Sequence, residues 1–213
     1  MIRVQRKSVW LVCLASAALW ALSALPALGA GDEALERHLA ALYEGNLLPN
    51  PDFEEADPEL PNRPLGWSGT YNLLDFNQPI WDDEIALSGS RSLRMAAPMM
   101  TEASWQSEKV PVKPDTTYRF TGYVRTQGLE QEKARFVGTF LVQAYSGDRM
   151  LFPRPTQAGA SLEGTNDWTR VEFTFKTPRN ADSIQVIAAL SFSGRAKGNV
   201  WFDAVKLEEV AGE

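Results

Sequence analysis

The chain has 213 residues, 44% of them hydrophobic, and a formal net charge of −6. That length suits one ordinary domain plus a targeting segment, and that apolar content supplies a packed core, which excludes a wholly disordered chain. The single cysteine, Cys13, excludes an internal disulfide.

Residues 1–30 read as an export signal. Arg3, Arg6 and Lys7 give a positive start, an apolar run follows from Val9 to about Leu25, and Pro26 ends it ahead of Ala27-Leu28-Gly29-Ala30. A charged start, an apolar middle and small residues at the end are the order of a cleaved secretory leader. The alternative is an uncleaved anchor, since the run approaches the ~20 apolar residues of a spanning helix. The proline and the small residues favour cleavage. Cutting after Ala30 removes three of the 21 Lys+Arg and none of the 27 Asp+Glu, leaving 18 against 27, a net −9. So acidic a surface repels phosphate backbones, so nucleic acid is not an expected partner. After cleavage a membrane is not expected either. The mature protein is expected to be secreted or periplasmic.

Residues 31–45 come next. Leu35, Leu39 and Leu42 recur at helical spacing, Asp32 is placed to cap the start, and Gly45 to stop the turn. The pattern predicts one short amphipathic helix. It is expected to lie on the domain, to act as a spacer, or to dock an exported protein partner.

From Asn46 the period changes to two. Thr117 to Arg125 alternates, with Tyr118, Phe120 and Val124 on one face and Arg119, Thr121, Tyr123 and Arg125 on the other. Val171-Glu172-Phe173-Thr174-Phe175 alternates likewise, as do Ile184, Val186, Ala188, Leu190 and Phe192 along another run. Phe136, Phe140 and Val142 share a face, which turns Thr139, Gln143 and Tyr145 the other way, and Val205 and Leu207 close the chain. Clusters of Pro, Gly, Asn and Asp separate these runs. Many short strands with turn signals between them predict an all-β sandwich or barrel, and no helical pattern interrupts them to suggest an α/β enzyme fold. Residues 55–84 are rich in Pro, Asn, Asp and aromatics with little alternation, and are expected to form a long functional loop.

Six segments in order resemble the carbohydrate-binding modules of the family 4/9/22 type, over about residues 46–209. Asn46 to Glu54 resembles that family's first strand and Pro64-Leu65-Gly66-Trp67 its tryptophan turn. Ser88-Gly89-Ser90-Arg91-Ser92-Leu93 is similar to its Gly-x-x-Ser-Leu step, and Val112 to Arg125 to its Thr-Tyr strand. Asp167-Trp168 with Val171 and Phe175 resembles the late tryptophan strand, and Trp201 to Leu207 the closing one. The resemblance implies a galactose-binding-like jelly roll: two antiparallel sheets over residues 46–210, behind the short helix. It also implies a structural calcium between the first and last strands, with Asp52, Glu54, Ser90 and Asp203 as its ligands.

Catalytic material is thin. His38 is the only histidine and lies on the predicted helix, outside the sandwich, so a Ser-His-Asp or Cys-His arrangement has no parts. A carboxylate pair drawn from Asp75, Asp82, Asp83, Glu84 or Glu102 is the remaining enzymatic reading, and the expectation is that the protein is not an enzyme. For sugar, flat rings must cover the C–H face of a pyranose, and planar polar groups must pair its hydroxyls. Trp81 and Tyr71 in the irregular segment, Trp67 at its turn, and the outward row of Tyr123, Arg125, Gln143 and Tyr145 are the candidates. The outward row forms one surface only if its two strands share a sheet. The expected partner is a polysaccharide or cell-surface glycan. The rival reading is a structural or protein-interaction sandwich, recognised by a groove filled with aliphatic side chains or by the helix.

Overall fold

The alternating runs become strands because every second side chain finds a second sheet to bury against. The computed structural model describes residues 30–70 and 78–210. The predicted leader, save Ala30, lies outside the described residues, as does Tyr71. After α1 (Ala30–Ala40) come twelve strands: β1 (Trp67–Thr70), β2 (Gln78–Asp82), β3 (Ser92–Thr101), β4 (Ser104–Ser107), β5 (Val110–Pro111), β6 (Thr117–Glu132), β7 (Phe136–Ser146), β8 (Arg149–Met150), β9 (Gln157–Ala158), β10 (Gly164–Lys176), β11 (Ser183–Phe192) and β12 (Arg195–Glu209). A seven-stranded sheet runs β1-β4-β11-β7-β8, with β5 on β11 and β9 on β7, and a five-stranded sheet runs β10-β6-β12-β3-β2. All pairings are antiparallel. This is the two-sheet jelly-roll sandwich expected.

The core lies between the sheets. Phe120 of β6 meets Phe140 of β7 at 4.8 Å between ring centroids, and Phe140 meets Phe202 of β12 at 5.1 Å. Such pairs each contribute about 0.5–1.5 kcal/mol beyond the area they bury. Gly122 makes this close approach feasible: a Cβ there would lie 2.7 Å from the Phe140 ring.

Three sequence expectations change. Asn46 to Glu54 forms turns rather than a strand, yet follows β12 closely. Leu47 N donates to Leu207 O, and Val205 N to Pro51 O, each at 2.9 Å. Asn46 ties it further, donating to Val205 O and accepting from Leu207 N. Residues 55–84 are not one long loop, since β1 and β2 lie inside that range. The predicted helix exists, but it begins at Ala30, which puts Asp32 inside it rather than at its cap.

That helix is not solvated all round. Leu35, Leu39 and Leu42 pack with Tyr123, Ala204, Leu87 and Trp168 on the outer face of the five-stranded sheet. His38 Nε2 reaches Ala204 O at 2.7 Å, and burial lowers the His38 pKa.

Candidate functional site

The predicted outward row does not share a surface. Tyr123 and Arg125 sit on β6 in the five-stranded sheet, while Gln143 and Tyr145 sit on β7 in the seven-stranded one. Both pairs face away from the core, on opposite sides of the molecule. The chain crosses between sheets at the β6–β7 connection, which local alternation does not report.

Each predicted aromatic then has its own surroundings. Trp67 is buried at 2% exposure, edge-on to Phe53, with its indole N–H toward Pro49 O. It is core, and its faces are not open to a ligand. Trp81 lies in β2 instead of a loop, packed against the core. Its indole N–H donates to Phe53 O at 2.7 Å, and the Arg91 guanidinium covers its ring at 4.5 Å. Tyr123 lies under α1.

Gln143 and Tyr145 are also buried, but they belong to a polar row on the outer face of the seven-stranded sheet. Gln143 pairs across the strands with Gln185 of β11. Tyr145 donates its hydroxyl proton to Gln185 Oε1 at 2.9 Å, and Gln185 donates onward to Ser107 O at 2.8 Å. Lys109 Nζ sits 4.6 Å from the centre of the Tyr145 ring, and desolvation raises the phenol's pKa. Gln143 donates to Leu151 O at 2.8 Å, anchoring the base of the excursion between β8 and β9. From that excursion Phe152 projects at 80% exposure, the most exposed of the large apolar side chains among the described residues.

Gln185 also lines a groove of about 320 Å³ where β1, β4 and β11 meet, with Asp57, Arg63, Ser68 and Glu108 on its walls. Asp57 and Arg63 pair at 2.6 Å, which holds the Asp57 carboxyl below its usual range. Among the described residues, two buried side-chain polar atoms lack a hydrogen-bond partner: Arg63 Nε, in this groove, and Thr139 Oγ1, on β7 in the same outward register as Gln143. Native folds pair nearly all such atoms, with protein or with ordered water.

The sequence reading passed over Gln185, Arg63, Asp57 and Phe152. Gln185 carried a signal, because Ile184 and Val186 facing inward turn it outward. So did Phe152, an aromatic among prolines with no strand to bury it. Asp57 and Arg63 meet only through the turn between them.

The predicted calcium ligands form two hydrogen-bonded knots on one loop. Glu54 accepts from Ser90 N, Arg91 N and Ser90 Oγ at 2.7–2.8 Å. Gly89, at φ 60°, leaves room for that carboxylate, since a Cβ there would lie 2.4 Å from it. Asp203 accepts from Leu87 N, Ser88 N and Ala204 N at 2.6–3.0 Å. N–H donors therefore fill the places a cation would need, whereas calcium wants ~6–8 oxygens. Among the described residues no three His, Cys, Asp or Glu gather as a metal cluster. The arrangement does not fit the ion, and no role is derived through one.

Against known proteins, residues 45–194 match the model of the carbohydrate binding domain family of the 4/9 type. The chain belongs to that family. Its curated relatives include the tRNA nuclease WapA of Bacillus subtilis strain 168, 29% identical over 136 residues. That match takes in 61% of this chain and 6% of WapA, so the chain spans a small fraction of the relative's length. Among solved structures, an arabinose-bound α-L-arabinofuranosidase superposes with a TM-score of 0.53 at 18% identity, covering 78% of this chain and 26% of that one. A family 22 xylan-binding domain superposes at 0.50 and 14% identity, covering 80% of this chain and 99% of that one. These similarities establish the jelly-roll fold shared with other carbohydrate-binding modules.

Proposed function

We propose that this carbohydrate-binding domain is an exported, non-catalytic module that takes a poly- or oligosaccharide on the outer face of its seven-stranded sheet. One observation carries the placement: Gln185, whose amide links Tyr145 to Ser107, opens into the groove of about 320 Å³ on that face. Sugar hydroxyls supply the complementary donors and acceptors, and Phe152 supplies a ring for the apolar face of a pyranose. The stacking is thus assigned to Phe152 rather than to Trp67 or Trp81, whose rings are committed elsewhere.

Catalysis finds little support here. His38 is bound to a backbone carbonyl beneath α1. Asp57 and Glu108 both line the groove, but Asp57 is engaged by Arg63 at 2.6 Å and its carboxyl is held below its usual range, which removes it as the proton donor that glycoside hydrolysis needs. The nuclease activity of WapA does not transfer on a match to 6% of its length. As for a protein-docking sandwich, the leucines of α1 are already spent on the chain's own sheet.

The test is isothermal titration of residues 31–213 with cellohexaose, xylohexaose, laminarihexaose and mannohexaose. Phe152→Ala and Gln185→Ala should each weaken the bound sugar by about tenfold, the worth of one stacking or hydrogen-bonding contact. Binding unchanged in both variants would remove the site from this face. Release of reducing ends from any of these sugars would overturn the non-catalytic reading.

A further inference from the structure

The outer face of the five-stranded sheet holds a second cleft, of about 270 Å³, beyond the part that α1 covers. Its lining includes Arg125, Gln127, Thr165, Asn166, Asp167 and Trp201. The strands are shaped to open it. Pairing of β10 with β6 shifts register between Gly164 and Asn166 and again between Asn166 and Thr169. Bulges of this kind re-aim side chains and are common beside functional sites. Here Asn166 still pairs with Thr126, while Asp167 is left out of the ladder, next to Arg125.

Several polar groups of this cleft keep hydrogen-bonding capacity, although Asp167 accepts from Trp168 N and Thr165 Oγ1 from Gly128 N. Arg125 makes no hydrogen bond among the described residues, and its nearest carboxylate oxygen, on Asp167, is 3.7 Å away. Gln127 is exposed, and its amide likewise has no partner among them. Asn166 donates to Thr126 Oγ1 at 2.9 Å and Glu163 O at 2.7 Å, which fixes the side chain and leaves its carbonyl oxygen to accept. Trp201 is nearly fully buried beneath the cleft, held by Asp82 at its indole N–H and covered by Arg94 at 5.0 Å from its ring, and the half-buried Ile85 supplies the apolar wall. Fixed planar donors and acceptors beside an apolar wall are what a sugar ring with adjacent hydroxyls requires. One cation and one carboxylate leave no net charge to favour an acidic sugar. The volume, just under the ~300 Å³ at which small-molecule pockets begin, suits one sugar residue.

We propose that this cleft is a second contact for a neutral sugar residue, so that the module grips glycan on both outer faces. The proposal rests on the reading of the protein as a glycan binder, but not on where the first site lies. Two sites on opposite faces of one rigid sandwich cannot close on one short oligosaccharide. They bridge separate chains or distant parts of one, and raise avidity for a polysaccharide network.

The experiment is an NMR titration of the 15N-labelled mature protein, residues 31–213, with the same four hexasaccharides. It follows the Arg125 Nε–H, the Gln127 amide and the Asn166 backbone in one set, and Gln143, Gln185 and Phe152 in the other. With a hexasaccharide that binds, both sets should shift, each with its own affinity. Arg125→Ala, at a half-buried position, should weaken the first set by about tenfold and leave the second unmoved. Shifts confined to the second set would overturn the second contact and keep the first reading. Shifts confined to the first set would uphold the cleft and overturn the placement on the seven-stranded sheet. No shift in either set with any of the four sugars would overturn both.

Discussion

Asp203 gives a sharp test of the energetics. It is fully buried, and the N–H groups of Leu87, Ser88 and Ala204 point at its carboxylate. Those donors favour the ion, but desolvation outweighs them and lifts the pKa from 3.8 to about 7. A folded value above the unfolded one means that the folded state holds the proton more tightly. The stabilisation is therefore complete below the unfolded value and is lost as pH rises through about 7. Between pH 5 and pH 8 this amounts to a change of roughly ninetyfold in the unfolding constant, or about 2–3 kcal/mol. Asp203→Asn keeps the shape and removes the titration. Urea unfolding of both proteins in chelator, at several pH values, gives the difference in stability directly. That difference should move against the wild type by about 2–3 kcal/mol from pH 5 to pH 8. A flat difference, or one that favours the wild type at high pH, refutes the argument that burial beats the three donors.

His38 should act in the opposite direction. Its folded pKa lies below 6.5, so its contribution is present above that value and is lost as pH falls through the folded one. His38→Gln, which can still donate to Ala204 O, should flatten the acid side of the stability curve. Gly122→Ala places a methyl against Phe140 and should cost about 1–3 kcal/mol by overpacking, read as a lowered melting temperature. Glu54→Ala frees two amides and a hydroxyl on the partly solvated 88–91 loop. A loss of about 1–2 kcal/mol and faster amide exchange at Ser90 and Arg91 are expected. Because those carboxylates bind N–H groups, adding calcium or chelator should leave the wild-type melting temperature unchanged; a rise of several degrees with calcium would contradict the hydrogen-bonded knots.

The scaffold was legible in the residues. Alternation at Tyr118, Phe120 and Val124, and at Ile184, Val186, Ala188 and Leu190, marks which side chains enter the core, because a strand presents its side chains in strict alternation and one face is dry. The leucines at 35, 39 and 42 likewise marked a helix with one apolar face. The family resemblance, rather than the alternation, pointed to Glu54, Ser90 and Asp203, and Glu54 does meet Ser90, through hydrogen bonds.

Where the site would form was not legible. Period two says that Tyr123 and Tyr145 both point outward; it is silent on which sheet each strand joins. Long-range pairing placed them on opposite faces, and α1 then covered Tyr123. An aromatic in a polar, proline-rich stretch reads the same whether it faces solvent or core. Trp67 and Trp81 went inward, each donating its indole N–H to a backbone carbonyl of the 49–53 turns, while Phe152 stayed out. Local sequence fixes the direction of a side chain relative to its own strand. The opposing layer, brought from another part of the chain, decides whether that direction ends in protein or in water.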